Sequence, residues 1–85
     1  MSKRNPYDER REILRHLLIK YRKNADIKQT QLAQKLNKPQ SFVSKYENGE
    51  RMLDPIEVYE VCNALSISFL LVMKQFERAI AQSAD

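Results

Sequence analysis

Residues 29–51 read QTQLAQKLNKPQSFVSKYENGER, and the tripeptide Asn37-Lys38-Pro39 divides them into two halves. Asn tolerates the left-handed backbone conformation, and the fixed φ of Pro suits the start of a helix but not its interior. The stretch therefore predicts two short helices, 29–36 and 40–48, joined by a fixed turn. Gly49 then supplies a left-handed stop at the end of the second helix.

A longer helix is predicted before this pair. Apolar residues in 8–23 recur with one-face helical spacing, and acidic side chains lie in the first turns while basic side chains lie in the last. Asn24 or Asp26 is expected to take a left-handed conformation just after this helix.

Two further helices are predicted after the pair. Asp54 as N-cap, Pro55 at the first helical position and Glu57 at the third predict one helix start. Ser68 is the expected N-cap of a last helix, 68–81. No segment has a strand pattern, so the sequence predicts a single all-α domain of five helices spanning 8–81.

Composition restricts the possible classes of function. Eighty-five residues suffice for one small domain, which leaves little room for an enclosed active site, and no catalytic constellation is visible, so we expect no enzyme. One cysteine, Cys62, and one histidine, His16, cannot make a disulfide framework or a metal site, and no cofactor is expected. We place Cys62 in the core and His16 on the surface. No apolar run is long enough to cross a membrane, and a cytoplasmic location is expected.

Charge changes sign along the chain. Residues 1–23 carry eight basic and three acidic side chains, 24–53 carry five and three, and 54–85 carry two and five. A surface of mixed solvated charge would explain the charged residues in general but not this gradient. The first two segments favour a polyanionic partner, whereas the last is better suited to protein contacts.

Two short helices around a brief break are typical of a helix-turn-helix, in which one helix braces the other in the major groove of DNA. Ala33 lies where two steeply crossing helices must approach closely, and Leu32, Leu36 and Val43 are expected to fill the shared core. The second helix is rich in short polar side chains. The sequence therefore predicts a helix-turn-helix at 29–48.

The stretch IKQTQLAQKLNKPQSFVSKYENGER resembles the XRE/Cro-type family of phage-repressor-like helix-turn-helix proteins, and the resemblance extends over 14–71. It implies a five-helix lambda-repressor-like domain that binds operator DNA as a homodimer. Three positions depart from the family pattern. Lys28 and Pro39 replace hydroxyl-bearing helix caps, and Asn37 replaces the usual turn glycine.

The resemblance implies base contacts from the exposed face of the second short helix. Gln40 lies at the base-reading position, with Ser41, Ser44 and Lys45 on the same exposed face. Gln pairs bidentately with adenine, Lys donates to guanine, and Ser can bond several base edges or a phosphate. Gln29 is implied to contact a phosphate and to support Gln40.

The resemblance also implies backbone contacts and a structural pair. Asn48 and Arg51 match the loop that typically touches phosphates. Arg22 and Glu47 match a partly buried ion pair that links the first helix to the recognition helix.

Four side chains near this surface have two interpretations each. Lys28, Lys38 and Arg51 either contact the DNA backbone or are ordinary solvated charges. Phe42 either touches a thymine methyl or sugar, or packs against the preceding helix.

The last helix has too wide an apolar arc for one contact. One part of the arc can pack on the first and fourth helices while another meets a second subunit, or both can enter the core of one chain. Leu70 and Leu71 project away from the main stripe. The residues of that stripe, taken as the candidate dimer interface, are Phe69, Val72, Met73, Phe76 and Ile80.

Two functional hypotheses from different classes follow. The leading one is a homodimeric, sequence-specific transcriptional regulator, most often a repressor in this family, that binds double-stranded DNA. The alternative is an antitoxin-type module that neutralises a partner toxin and autoregulates its operon.

Overall fold

The computed structural model describes residues 8–83, and every regular element among them is helical. This confirms the all-α prediction for the described part of the chain. The five helices are α1 (Glu9–Asn24), α2 (Gln29–Leu36), α3 (Gln40–Glu47), α4 (Pro55–Ala64) and α5 (Phe69–Ser83).

Local signals set the ends of α1. Asp8 is its N-cap, and the carboxylate accepts a hydrogen bond from the Arg10 backbone N–H at 2.9 Å. Asn24 is the last helical residue, and Asp26 takes the left-handed conformation with φ of 59°. The left-handed corner after α1 is therefore at Asp26, one of the two positions predicted.

The break between α2 and α3 is a fixed turn. Asn37 is left-handed, with φ of 59° and ψ of 42°, and the N–H of Lys38 donates to the carbonyl of Ala33 at 2.9 Å. Pro39 is the N-cap of α3, with φ of −67° and extended ψ, so Gln40 is the first helical residue. Gly49, with φ of 84°, follows the end of α3 as predicted.

The cap of α2 differs from that of α4. Lys28 carries no side-chain acceptor, so it makes no side-chain cap bond, but its backbone N–H donates to Oε1 of Gln31 at 2.8 Å. At α4 both halves of the capping box are present, between Asp54 and Glu57 at 2.8 and 2.9 Å. At α2 only one of the two capping-box hydrogen bonds is present, the one accepted by the side chain of Gln31.

The last helix begins after Ser68, whose hydroxyl accepts from the Leu71 N–H at 3.1 Å, as the N-cap prediction required. It runs to Ser83, two residues beyond the predicted end. No single described helix is long and apolar enough to cross a membrane, and α4 and α5 meet that criterion only as a pair bent by 118°.

The core lies where α2 meets α3 and α4, and where α1 and α5 close over them. Ala33 is 2% exposed, consistent with the close helix crossing predicted there. Cys62 is buried and His16 is exposed, as predicted. The buried apolar residues are Leu18, Leu32, Ala33, Val43, Tyr46, Val58, Val61, Cys62, Leu65 and Val72.

A buried ion pair ties α1 to α3. Arg22 donates from Nε and Nη2 to the Glu47 carboxylate at 2.7 and 3.0 Å, and its Nη1 donates to the Ile27 carbonyl at 2.8 Å. Gln29 adds a bond from its amide nitrogen to Glu47 at 2.7 Å. Both charged side chains are at most 10% exposed. The pair therefore fixes α3 against both preceding helices.

The structure excludes one residue of the predicted dimer stripe on α5, and the rest of the stripe stays a prediction. Val72 is fully buried in the core of one chain, and Phe69 and Met73 pack against that core, so Val72 cannot meet a second subunit. The large exposed apolar side chains of α5 are Leu70 and Leu71, at 63% and 46% exposure. The other two members of the stripe, Phe76 and Ile80, are half-buried.

Replacement of Glu47 by Ala should lower the free energy of unfolding by about 3–5 kcal/mol, because Arg22 would keep a buried charge without its partner. Urea denaturation followed by circular dichroism measures the change. Glu50→Ala is the matched control, since Glu50 is exposed, and should shift stability by less than about 0.5 kcal/mol. Equal losses in the two variants would show that the pair is not a fixed point of the fold.

Two tyrosine hydroxyls should respond differently to removal. The Tyr21 hydroxyl bonds to Gln75 Oε1 between α1 and α5, whereas the Tyr46 hydroxyl is buried with no hydrogen-bond partner among residues 8–83. Tyr21→Phe should therefore cost about 1 kcal/mol of unfolding free energy, and Tyr46→Phe should be close to neutral. A loss at Tyr46 equal to that at Tyr21, in the same urea titrations, would contradict this difference.

Candidate nucleic-acid interface

Helix α3 has two chemically distinct faces. Val43, Tyr46 and Glu47 are buried against the rest of the domain. The opposite face is polar and open to solvent, and because the buried face is fixed, this face is held in one orientation. Its exposed members are Gln40, Ser41 and Lys45.

Helix α3 carries all the predicted base-contacting groups. Gln40 and Ser41 occupy the first two helical positions and both are exposed. Ser44 is half-buried, and its hydroxyl donates to the carbonyl of Ser41 at 3.3 Å, which leaves its oxygen lone pairs as acceptors. An amide, two hydroxyls and the ammonium of Lys45 can therefore offer both donors and acceptors.

Gln29 differs from the implied arrangement. The hydrogen bond of its side-chain nitrogen goes to the buried Glu47 carboxylate and not to Gln40. The side chain of Gln29 thus links α2 to α3. Its amide oxygen makes none of the hydrogen bonds described for residues 8–83 and stays available as an acceptor.

The groups predicted to touch phosphates come from three separate segments. Lys28 precedes α2, Lys38 lies in the turn before α3, and Arg51 follows α3; all three are exposed. Asn48 caps the C-terminal end of α3 and is also exposed. Positive charge therefore surrounds the polar face of α3 from the N-terminal side of α2 to the loop after α3.

Phe42 packs within the protein. Its ring is half-buried and meets Tyr46 edge to face, with ring centroids 5.8 Å apart and planes at 69°. Lys38 and Arg51 lie over the same ring, with Nζ at 5.3 Å and Cζ at 4.7 Å from the centroid. The ring therefore packs against Tyr46 of its own helix and two flanking cations, and its contact with DNA stays a prediction.

Two residues that the sequence interpretation missed organise this surface. Glu57 accepts from both terminal nitrogens of Arg51, at 3.0 and 2.8 Å, and these bonds hold the pKa of the Glu57 carboxyl below its usual range. Arg15 donates from Nη1 to the backbone carbonyl of Glu47 at 2.8 Å. Glu57 was assigned only to the capping box of α4, so its contact with Arg51 was not predicted. No local pattern in the sequence indicates that Arg15 of α1 reaches the end of α3.

Solved structures share this fold. A mutant of the restriction-modification controller protein C.Esp1396I is 20% identical with a TM-score of 0.79, covering 88% of this chain and 95% of that one. The clp gene regulator ClgR from Corynebacterium glutamicum is 23% identical with a TM-score of 0.74, covering 86% of this chain and 78% of that one. A second ClgR structure is 24% identical with a TM-score of 0.71 over 80% of this chain and 87% of that one. No curated protein matches the sequence significantly.

Residues 18–72 match the family model described as helix-turn-helix, HTH_3. The match begins within α1 and ends within α5, so it includes α2, the left-handed turn at Asn37 and α3. The arrangement of α2 and α3, the polar face of α3 and this match agree with one another. The chain belongs to the XRE-type helix-turn-helix family, whose members are DNA-binding regulators.

Proposed function

We propose that the protein is a homodimeric, sequence-specific repressor that places α3 in the major groove of a two-fold symmetric operator. The observation that carries the proposal is the rigid presentation of one polar helix face. One side of α3 is locked by the Arg22/Glu47 pair and the core, while Gln40, Ser41 and Lys45 face solvent. The similar solved structures are those of a controller protein and a gene regulator, which favours the same class of function.

The exposed face of α3 has the chemistry for direct base readout. Gln40 can accept from adenine N6 and donate to N7, and Lys45 can donate to guanine O6 and N7. Ser41 and Ser44 can bond to base edges or to a nearby phosphate. Because Gln40 is the first residue of α3, it enters the groove at the end of the helix closest to the turn.

The surrounding cations serve the sequence-independent part of binding. Lys28, Lys38 and Arg51 neutralise backbone phosphates, and the side-chain amide nitrogens of Asn48 and Gln29 complete the contacts around α3. Such contacts fix the register of a protein on the duplex without reading bases. Binding should therefore weaken steeply with salt.

A second copy of the chain docks on the apolar surface between α4 and α5, which consists of Ile56, Tyr59, Leu70 and Leu71. These side chains are 46–69% exposed, from Leu71 at 46% to Ile56 at 69%. The ring of Tyr59 meets Phe69 edge to face at 5.8 Å, which joins the two helices in one patch. An exposed apolar cluster of this kind favours a protein contact, and the acidic charge of 54–85 disfavours DNA there.

The dimer gives repression a simple physical basis. Two recognition helices related by a two-fold axis read half-sites about 34 Å apart, so the operator is an inverted repeat. A bound dimer blocks access to the promoter that contains this repeat. The protein acts where the chromosomal DNA is, inside the cell.

Gln40→Ala should weaken binding to the specific operator by about 1–3 kcal/mol and leave binding to random duplex almost unchanged. Selection from random DNA with the wild-type protein defines the operator, and fluorescence anisotropy measures both affinities. Gln34→Ala, at an exposed position of α2, is the control. An equal loss on both duplexes would remove Gln40 as a base reader, and failure to enrich any sequence would reject the proposed function.

Leu70→Lys should shift the monomer–dimer equilibrium toward monomer by at least about tenfold, because a charge would be buried in the proposed interface. Sedimentation equilibrium at micromolar concentration measures the shift. Gln82→Lys, which adds the same charge to an exposed position of the same helix, should leave the equilibrium unchanged. If both variants dimerise as the wild type does, the interface lies elsewhere.

A further inference from the structure

One aromatic ring brings together cations from both sides of α3. Lys38 comes from the turn before α3 and Arg51 from the loop after it, yet both lie over the Phe42 ring, at 5.3 and 4.7 Å from its centroid. Both distances fall within the range in which a cation is attracted to an aromatic face. The two flanking segments therefore share one anchor on the recognition helix.

The ring is itself held in place. Phe42 is half-buried and packs against the core cluster, and its contact with Tyr46 restricts rotation. Tyr46 is only 2% exposed, so this neighbour is fixed by the core. A ring held in this way can define the positions of flexible side chains that rest on it.

Arg51 is restrained from its other sides as well. Its terminal nitrogens donate to both carboxylate oxygens of Glu57, and Nη1 also reaches the Met52 carbonyl at 3.2 Å. Glu57 is fixed in turn by the capping box with Asp54 at the start of α4. The guanidinium keeps donor capacity on Nε and Nη2 for one further acceptor.

Lys38 is placed by the same group of residues. Its ammonium lies over the Phe42 ring, and its charge helps to lower the pKa of the Glu57 carboxyl, so it lies within electrostatic reach of that carboxylate. One ring and one carboxylate thus offset the repulsion between two neighbouring cations. Without them, both long side chains would have many more rotamers to lose on binding.

We infer that Phe42 is a positioning residue, a platform that presents Lys38 and Arg51 to backbone phosphates of double-stranded DNA on either side of α3. The inference rests on the proposed function and adds to it a role for Phe42 that is neither base reading nor simple packing. Phosphate contacts carry no sequence information, so the contribution of Phe42 is the same on every duplex.

Two substitutions separate the aromatic face from the apolar volume. Phe42→Leu keeps an apolar side chain but removes the aromatic face, whereas Phe42→Tyr retains the aromatic face. Phe42→Leu should weaken binding to the selected operator and to random duplex by the same factor, roughly 5- to 30-fold, and Phe42→Tyr should restore affinity to within about twofold. Urea titrations confirm that both variants are folded before affinities are compared.

Double-mutant cycles identify the groups through which Phe42 acts. The effect of Phe42→Leu should shrink when Arg51 or Lys38 is already Ala, because the ring then has one cation fewer to position. Lys28→Ala is the matched control, since Lys28 is a proposed phosphate contact that makes none of the ring contacts above, and its effect should add to that of Phe42→Leu.

A spectroscopic readout tests the platform without DNA. Protons above an aromatic ring resonate upfield, so the side-chain methylene protons of Lys38 and Arg51 should be shifted upfield in the free protein. The shifts should persist in Phe42→Tyr and vanish in Phe42→Leu.

Three outcomes would overturn the inference. A loss confined to the selected operator would make Phe42 a base reader, full additivity with both Arg51→Ala and Lys38→Ala would reduce it to a packing residue, and absence of the upfield shifts would remove the platform. In each of these cases the wild-type protein still binds DNA, so the proposed function stands. A wild-type protein that binds no duplex would reject the proposed function, while the upfield shifts would still report on the platform.

Discussion

The buried ion pair between Arg22 and Glu47 is the constraint on which the rest of the structure depends. Two charges removed from water are stable only when their hydrogen-bonding capacity is met, and here Gln29 and the Ile27 carbonyl complete the bonds. These partners belong to α1, α2, α3 and the segment between α1 and α2. Any rotation of α3 would break several of these bonds together, so the pair sets which face of α3 points outward.

That constraint compensates for weak local signals around the helix-turn-helix. Neither Lys28 nor Pro39 supplies a side-chain cap, and helices of eight residues are marginal by themselves. Packing of Ala33 and Val43 in the shared core, together with the ion pair, holds both helices in place. The two N-cap residues have other roles. Lys28 adds a cation beside the polar face of α3, and Pro39 fixes where α3 begins.

The apolar periodicity of α5 predicts a helix but does not determine which side of that helix is buried. The spacing of its apolar residues predicts either a division between the chain's own core and a second subunit or burial of both arcs in one core, and it cannot tell which arc does which. Packing on α1 and α4 buries Val72 of the predicted stripe and leaves Leu70 and Leu71 exposed. The choice depends on how α5 is oriented after the turn at Ser66, whose left-handed φ of 59° had no signal in the sequence interpretation.

The sequence by itself determined what depends on contacts within about four residues: the five helices, the left-handed Asn37 and Gly49, and the capping box at Asp54. The resemblance added the Arg22/Glu47 pair and the polar face of α3. Only the tertiary structure decided that Arg51 meets Glu57 and Phe42, that Gln29 braces Glu47, and which arc of α5 is exposed. Those contacts join side chains whose separation in space is set by helix packing, and no local spacing encodes that separation.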